Sequence, residues 1–347
     1  MLNAVLASYG LTGPGVQVQS FGTGLINNTW KVIAPEGEYI LQRINEVVFK
    51  KPENIAHNIS KIAAYLEEHY PDYRFVAPVA TVNGEQMVHV KEGYFRLFPF
   101  VPASHSKDVL ETPSQAFEAA VQFGRFTKLL AGIRMSEIRT TIPDFHNLAL
   151  RYRQFTESLL KGNKQRIDEC TDLLNLLQLH IGIVNEYEHI IASSSFRLRI
   201  AHHDTKISNV LFDENGAGIC VIDLDTMMPG YFISDVGDMM RTYLSPASEE
   251  ESDFSKIHIR EDFYNAIVDG YYGEMKEELT EDEKQHFFYA GKFMIYMQAL
   301  RFITDYFNDD AYYGAKYPGH NLVRAKNQVV LLERLLEKEQ VFSKITG

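Results

Sequence analysis

The chain has 347 residues, enough for about two domains and a large core. Its hydrophobic content of 45% and charged content of 23% are ordinary for a soluble globular protein, and a net charge of -12 argues against a nucleic-acid binder, whose phosphate contacts need a basic face. No stretch approaches the roughly 20 apolar residues of a membrane span, the opening Met1-Leu2-Asn3-Ala4-Val5-Leu6 has no basic region ahead of a long apolar run, and Cys170 and Cys220 fit no zinc spacing and read as buried thiols of a reducing compartment, so a cytoplasmic protein with no nucleic-acid or membrane partner is expected.

Residues 16–21 alternate apolar and polar side chains and stop at Gly22-Thr23-Gly24. Residues 29–33 and 39–44 read as strands around a Pro35-Glu36-Gly37 turn. Residues 53–69 carry helical periodicity through Ile55, Ile59, Ile62, Ala63 and Leu66, with Pro52 suited to the first turn. Residues 75–82 and 86–90 read as a hairpin around Asn83-Gly84, and residues 94–101 as a further apolar strand. Residues 1–101 therefore form a small strand-rich domain. Beyond Pro102 the pattern turns helical, over residues 114–130, 148–160, 168–193, 261–272, 281–307 and 321–339, giving a second domain of residues 102–347 and an α+β chain. Residues 245–253, with Glu249-Glu250-Glu251, read as a solvated acidic loop. No internal repeat or low-complexity tract is evident.

The chemistry concentrates in Ala201-His202-His203-Asp204-Thr205-Lys206-Ile207-Ser208-Asn209-Val210-Leu211-Phe212, followed by Val221-Ile222-Asp223-Leu224-Asp225. An Asp, an Asn five residues on, and a second acid after a hairpin-like interval is the layout of a phosphotransfer catalytic loop and its metal-binding strand. Ile207, Val210, Leu211 and Phe212 anchor the segment in a core and leave Asp204, Lys206 and Asn209 to project into a cleft. Asp213-Glu214-Asn215-Gly216 reads as a tight turn, and residues 218–222 as a short buried strand that delivers Asp223. A carboxylate at the end of an apolar strand is costly unless paired, and a metal ion is a natural partner; the plain alternative is a helix cap. Mg²⁺ needs only one or two protein carboxylates when phosphate oxygens complete its shell. Asp225, two residues beyond Asp223, would face the same side in an extended segment, towards metal, substrate or a salt-bridge partner. Ala290, Met294, Met297 and Arg301 share one helix face, so the Arg301 guanidinium needs a partner. Asp305, one turn on, is the plain candidate and a substrate oxygen the functional one.

His202-His203-Asp204 with Asn209 resembles the H-x-D-x-x-x-x-N signature of the aminoglycoside phosphotransferase and choline kinase family, and Val221-Ile222-Asp223-Leu224-Asp225 resembles that family's second metal motif. The order of a small strand-rich lobe and a helical lobe matches over essentially the whole chain. Within the family, Tyr39-Ile40-Leu41-Gln42-Arg43-Ile44-Asn45, Asp204-Thr205-Lys206, Ile222-Asp223-Leu224-Asp225-Thr226-Met227-Met228-Pro229-Gly230 and Ala299-Leu300-Arg301-Phe302-Ile303-Thr304-Asp305-Tyr306 are similar to the N-acetylhexosamine 1-kinases.

The resemblance implies a bilobal protein-kinase-like fold and transfer of phosphate from ATP, with Mg²⁺, to the anomeric hydroxyl of N-acetylglucosamine or N-acetylgalactosamine. It implies Asp204 as general base or orienting acceptor, Asn209 and Asp223 as metal ligands, and Lys206 on the transferred phosphate, a surface lysine being the alternative. Gly22 and Gly24 would belong to the nucleotide-covering loop, with Asn27 or Asn28 in reach of substrate or phosphate. Arg43 would grip the α/β-phosphates, with Glu53 as its candidate acidic partner. Residues 98–101, with Phe98 and Phe100, would form the adenine-binding hinge. Arg301 and Tyr312 would line the sugar pocket, and Asp225 would approach the sugar. Asp235 would tether the catalytic loop with Arg241 nearby, while His202 and His203 would support the loop through hydrogen bonds. A monomer or weak homodimer is expected. The rival readings are a kinase of choline, homoserine, an aminoglycoside or another sugar on the same fold, and a catalytically silent nucleotide-binding scaffold. A protein kinase is disfavoured, because Asp223-Leu224-Asp225 stands where D-F-G would.

Overall fold

Apolar alternation builds the first sheet. In the computed structural model, which describes residues 2–22 and 27–342, a short helix α1 (Leu2–Ala7) is followed by β1 (Gln17–Ser20), β2 (Asn28–Ala34) and β3 (Gly37–Arg43). After α2 (Pro52–His69) come β4 (Val88–Val90) and β5 (Gly93–Pro99), and the five strands pair antiparallel in the order β1-β2-β3-β5-β4. One face of the sheet packs Val32, Leu41, Phe95 and Leu97 against Val5 and Leu6 of α1, a helix that the sequence reading did not anticipate. Pro52 opens α2, whose Ile55, Ile59, Ile62 and Leu66 are buried as their spacing requires. Residues 75–82 form no strand, contrary to expectation. Pro78 has no N–H to give, and the segment reaches the sheet through the Val79 N–H to the Leu97 carbonyl. The Asn83-Gly84 turn exists, with Gly84 at φ +82°, but the hairpin that forms is β4–β5.

Further along come α3 (Pro113–Leu129), α4 (Leu148–Lys161), α5 (Lys164–Asp168), α6 (Thr171–Leu179), α7 (Gly182–Ala192) and a short strand β6 (Arg199–Ala201). The expected helix over residues 168–193 is broken before Gly182, a residue that favours helix starts and stops over interiors. Two strands, β7 (Val210–Phe212) and β8 (Gly218–Val221), pair antiparallel around the expected turn, β8 standing where the buried strand is expected, and a third, β9 (Met228–Gly230), follows. The remaining helices are α8 (Phe232–Tyr243), α9 (Glu261–Met275), α10 (Glu281–Lys284), α11 (Phe287–Phe307), α12 (His320–Leu336) and α13 (Glu339–Phe342). Helix α11 is buried on nearly every side, leaving only Lys292, Arg301 and Thr304 partly exposed, which makes it the central rod of the helical unit. Helix α8 was missed in the sequence because two acids, Asp235 and Asp238, interrupt its apolar pattern; both are buried. No helix among the described residues is long and apolar enough to cross a membrane.

The chain divides into two units. One comprises Met1–Ser106, Leu129–Pro143 and Asn209–Pro229; the other comprises Lys107–Lys128, Asp144–Ser208 and Gly230–Gly347. The sheet and the β7–β8 ribbon belong to the first. The helices α4 to α13 and the segment containing Asp204 belong to the second.

Candidate active site

In the helical unit, the segment after β6 is held by its backbone. Asp235, in the first turn of α8 and fully buried, accepts the N–H of His202 at 3.0 Å and of His203 at 2.7 Å. Asp238, one turn on, accepts the N–H of Thr205 at 2.8 Å, while the Thr205 hydroxyl donates to the Asp235 carbonyl and the Tyr243 hydroxyl donates to the Thr205 carbonyl. Burial raises Asp235 to about 6 despite the two N–H donors, and raises Asp238 as well, against the pull of Arg241. Arg241 pairs with Asp238 at 3.0 Å and Glu249 at 2.9 Å, so it neighbours this tether through Asp238 rather than Asp235. The loop thus has its main chain clamped, and its side chains alternate between burial and partial exposure. His202, His203 and Thr205 are buried, whereas Asp204 and Lys206 are partly exposed. Lys206 Nζ lies 2.8 Å from Asp204 Oδ2.

The two histidine side chains pack beside this loop. His202 packs edge-on against Phe123 at 5.1 Å. His203 adopts φ +65°, a left-handed conformation that His tolerates better than most residues, and its Nδ1 meets His146 Nδ1 at 3.3 Å. Desolvation and the neighbouring His203, Arg301, Arg241 and Arg151 hold His146 well below the usual imidazole range. A Cβ at Gly230 would meet the His203 ring at 2.4 Å, so this ring position requires glycine there.

In the sheet-bearing unit, Asn209 immediately precedes β7 and is buried. The register Val210↔Val221 and a 2.8 Å bond from the Ile222 N–H to the Asn209 carbonyl set Asp223 at the same end of the ribbon as Asn209. Asp223 sits at φ +60°, a sparsely populated conformation of the kind that clusters at functional sites. Among the described residues no group of three or more His, Cys, Asp and Glu side chains is placed to hold a metal. One amide oxygen and one carboxylate form a hard donor set that suits Mg²⁺ completed by phosphate and water.

Asp225 behaves differently from the extended-segment expectation. Residues 224–226 coil into a 3₁₀ turn, fixed from behind by Asn58 of α2, which donates to the Met227 carbonyl at 2.9 Å. Asp225 is buried and accepts from Asn27 Nδ2 at 2.8 Å. Arg96 Nη2 of β5 lies 2.5 Å from Asp225 Oδ1. That contact is an ion pair by distance but lacks hydrogen-bond alignment, because the aligned bond of Nη2 runs to Gln42 Oε1 at 2.9 Å. Nε and Nη1 of Arg96 are buried with no hydrogen-bond partner among the described residues.

The register between β3 and β5 places Arg43 on the α1 side of the sheet. Cross-strand partners share a face, and Arg43 opposes Phe95 while Leu41 opposes Leu97, all on the side of the α1 cluster. Gln42 opposes Arg96 on the other face, the one that meets Asp225. The strand chemistry therefore offers Arg96, not Arg43, to the face of Asp225. Glu53 forms no ion pair with Arg43 among the described residues. Gly22 is described, at φ +76° and with open space around it; Gly24 lies outside the described residues. Phe98 packs with Val76, Val101, Cys220 and Ile222 in a small apolar cluster, and Phe100 lies edge-on to Phe21 with Lys31 over its ring at 4.0 Å.

Back in the helical unit, Arg301 does not pair with Asp305. Two consecutive left-handed residues, Asp309 and Asp310, turn the chain back after α11, and Asp305 accepts the N–H groups of Tyr312 at 2.7 Å and Tyr313 at 2.9 Å. Arg301 is left with one long bond to Gln298 Oε1 at 3.3 Å and with the rings of Tyr313, Phe145 and Tyr312 at 5.4 to 6.0 Å. It lines a cavity of about 390 Å³ with Arg151, Thr304, Tyr312 and Tyr313. Tyr312 is 75% exposed. Arg96, Arg151, His146 and Asp238 escaped the sequence reading. Only Arg96 carried a signal there, as a lone charge in an otherwise apolar strand.

A sequence model of the Phosphotransferase enzyme family matches residues 17–273. Among solved structures the chain is similar to a microcompartment-associated aminopropanol kinase, 18% identical over 99% of each chain with a TM-score of 0.64. It is also similar to an aminoglycoside phosphotransferase from Alicyclobacillus acidocaldarius, 14% identical over 98% of this chain and 96% of that one, TM-score 0.63. A spectinomycin phosphotransferase in complex with ADP and spectinomycin is 13% identical over 98% of each, TM-score 0.60. These likenesses show that the kinase-like α+β fold expected from the sequence is the one adopted. The matched stretch runs from β1 to α9 and carries Arg96, the clamped loop with Asp204, and the Asn209–Asp223 ribbon, and the chain belongs to the Phosphotransferase enzyme family.

Proposed function

We propose that this chain is an ATP- and Mg²⁺-dependent kinase of a small alcohol, and that its acceptor is the anomeric hydroxyl of an N-acetylhexosamine, giving ADP and the sugar 1-phosphate. Asp204 accepts the hydroxyl proton as the oxygen attacks the γ-phosphorus in line. The bond from that phosphorus to the β-phosphate oxygen breaks, and no covalent enzyme intermediate forms. Lys206, 2.8 Å from Asp204, orients the carboxylate and offers its charge to the transferred group. Bound at Asn209 and Asp223, Mg²⁺ supplies neutralising charge for the phosphates. On the nucleotide side we assign adenine to the Phe98, Val76, Val101 and Ile222 cluster, with Phe100 at its edge, the phosphates to the backbone at Gly22 and to Arg96, and the positioning of Arg96 and Asn27 to Asp225.

The observation that carries the acceptor is that, among the described residues, Arg301 has no carboxylate partner and lies beside Tyr312 and Tyr313. A guanidinium and aromatic rings suit the hydroxyls and apolar faces of a sugar. The guanidinium repels the ammonium groups of choline or aminopropanol, acceptors suggested by the names of structural neighbours. Steady-state turnover with Mg²⁺ and ATP on N-acetylglucosamine, N-acetylgalactosamine, choline, homoserine and an aminoglycoside tests the reading. It predicts that kcat/KM for an N-acetylhexosamine exceeds that for every amine by at least about tenfold, or 1.4 kcal/mol. Preference for an amine would sink the sugar assignment while leaving the kinase intact; no turnover on any acceptor would favour a silent scaffold.

A further inference from the structure

Arg151 and Arg301 face one cavity from two helices, α4 and α11. Among the described residues their hydrogen bonds go to neutral groups. Arg151 Nη1 donates to Gln154 Oε1 at 2.9 Å and Nη2 to the carbonyls of Asp144 and Phe145, while Arg301 reaches Gln298 alone. No carboxylate pairs with either guanidinium among the described residues. The two acids on the cavity wall are already committed: Glu157 to Lys161 at 2.6 Å, and Asp305 to the N–H groups of Tyr312 and Tyr313. Two donors at the cavity, Arg151 Nε and the Thr304 hydroxyl, are buried with no hydrogen-bond partner among the described residues. Unsatisfied buried donors beside two unpaired like charges are costly in the empty molecule, and one anionic ligand satisfies both deficits at once.

We propose that this cavity binds an anionic group, a carboxylate or a phosphate monoester, held between Arg151 and Arg301 with Thr304 as an added donor. Desolvation, followed by the charge of Arg301, lowers the Arg151 guanidinium from its usual value, and an anion between the two relieves both effects. The Arg fork matches the oxygens of either anion. The group arrives as a substituent on the acceptor or as a free ion beside it. The proposal deepens the acceptor reading above and rests on it only for the first of these sources.

Calorimetric titration of inorganic phosphate and of glucuronate tests it. The full chain is first saturated with Mg²⁺ and ADP, so that nucleotide phosphate sites are filled. The expected result is one-site binding of at least one anion, weakened at least about tenfold in Arg151→Gln and in Arg301→Gln and largely kept in Arg151→Lys. Among the described residues Arg301 makes a single long hydrogen bond, so Arg301→Gln, checked by circular dichroism, guards against reading an unfolded Arg151 variant as lost binding. Binding unchanged by both substitutions, or no binding of either anion to the folded native chain, overturns the proposal. Turnover separates the sources. A substituent predicts a higher kcat/KM for N-acetylglucosamine 6-phosphate than for the neutral sugar, abolished by Arg151→Gln. A free ion predicts that phosphate shifts the KM of the neutral sugar. Because anion binding is read without turnover, its failure is distinguishable from failure of the sugar assignment.

Discussion

At the scale of single residues, the proposed mechanism rests on Asp204 as the proton acceptor and on the neighbours that position its backbone. Asp204→Asn removes the proton acceptor but keeps the shape, so kcat should fall by about 10²–10⁴ while ADP affinity stays within a few-fold. Stopped assays and calorimetry on the same preparation check both halves, and an equal loss of nucleotide affinity would place Asp204 in binding instead. Asp235 supplies a pH dependence of known sign. Burial raises its native value to about 6, above the roughly 3.9 of an unfolded aspartate, so the native state holds this proton more tightly. Its contribution to stability is present below about pH 4 and is lost as pH rises through 6. The unfolding midpoint of native protein relative to Asp235→Asn should therefore decline over that window, and a flat difference would show that Asp235 does not titrate there. Arg96 and Asp225, with side chains 3% and 2% exposed, form a buried pair. Removing one partner strands the other, so Arg96→Met should cost about 3–5 kcal/mol in urea unfolding, and Arg96→Met with Asp225→Leu should recover much of it. Additive losses would mean the two do not interact.

At the scale of elements, α8 does most to fix the loop, since Asp235, Asp238, Arg241 and Tyr243 all project from it to the loop or its tether. It is placed by close approach to α11, where a Cβ at Gly237 would lie 2.4 Å from the Ala290 carbonyl oxygen. Replacing a mid-helix glycine by alanine ordinarily gains about 0.5–1 kcal/mol. Here overpacking of about 1–3 kcal/mol should win, so Gly237→Ala should lower the midpoint of thermal unfolding and reduce kcat; a raised midpoint would show that the helices part freely. The acidic loop over residues 245–253 is tied to the same region. Glu249 joins Arg241 to Arg324, and those two cations outweigh the upward push of burial to hold its carboxyl below the usual range. Glu250 takes Lys316 at 2.8 Å. That loop reads as solvated in the sequence because two of its partners, Lys316 and Arg324, lie far along the chain, where spacing carries no information about them. Helix α8 was hidden for the same reason, its buried acids being explained by backbone donors of a distant loop. Periodicity was enough for β2, β3, α2, α4 and the β7–β8 ribbon, whose stabilising contacts are local or directly cross-strand.

At the scale of the whole molecule, the order of a strand-rich part and a helical part was legible from the change in period near residue 102. The return of residues 209–229 to the sheet-bearing unit was not, because it depends on long-range packing. The spacing of Asp204, Asn209 and Asp223 is legible as a motif, whereas the placement of Arg96 rather than Arg43 on the face of Asp225 depends on strand register, which a one-residue shift reverses. A nucleotide that binds only the folded chain should stabilise it by about 2.7 kcal/mol at a hundred times its Kd, so Mg²⁺-ADP should raise the unfolding midpoint of native protein and of Asp204→Asn alike. Whether Asp204 directs phosphate from ATP onto a sugar's anomeric oxygen is read by ³¹P NMR of Mg²⁺, ATP and N-acetylglucosamine with native and Asp204→Asn protein. A new phosphorus signal coupled to the anomeric proton, with stoichiometric ADP, is expected in the native reaction and none in the variant over the same time. A phosphate on any other oxygen, or equal product from both proteins, would contradict this reading.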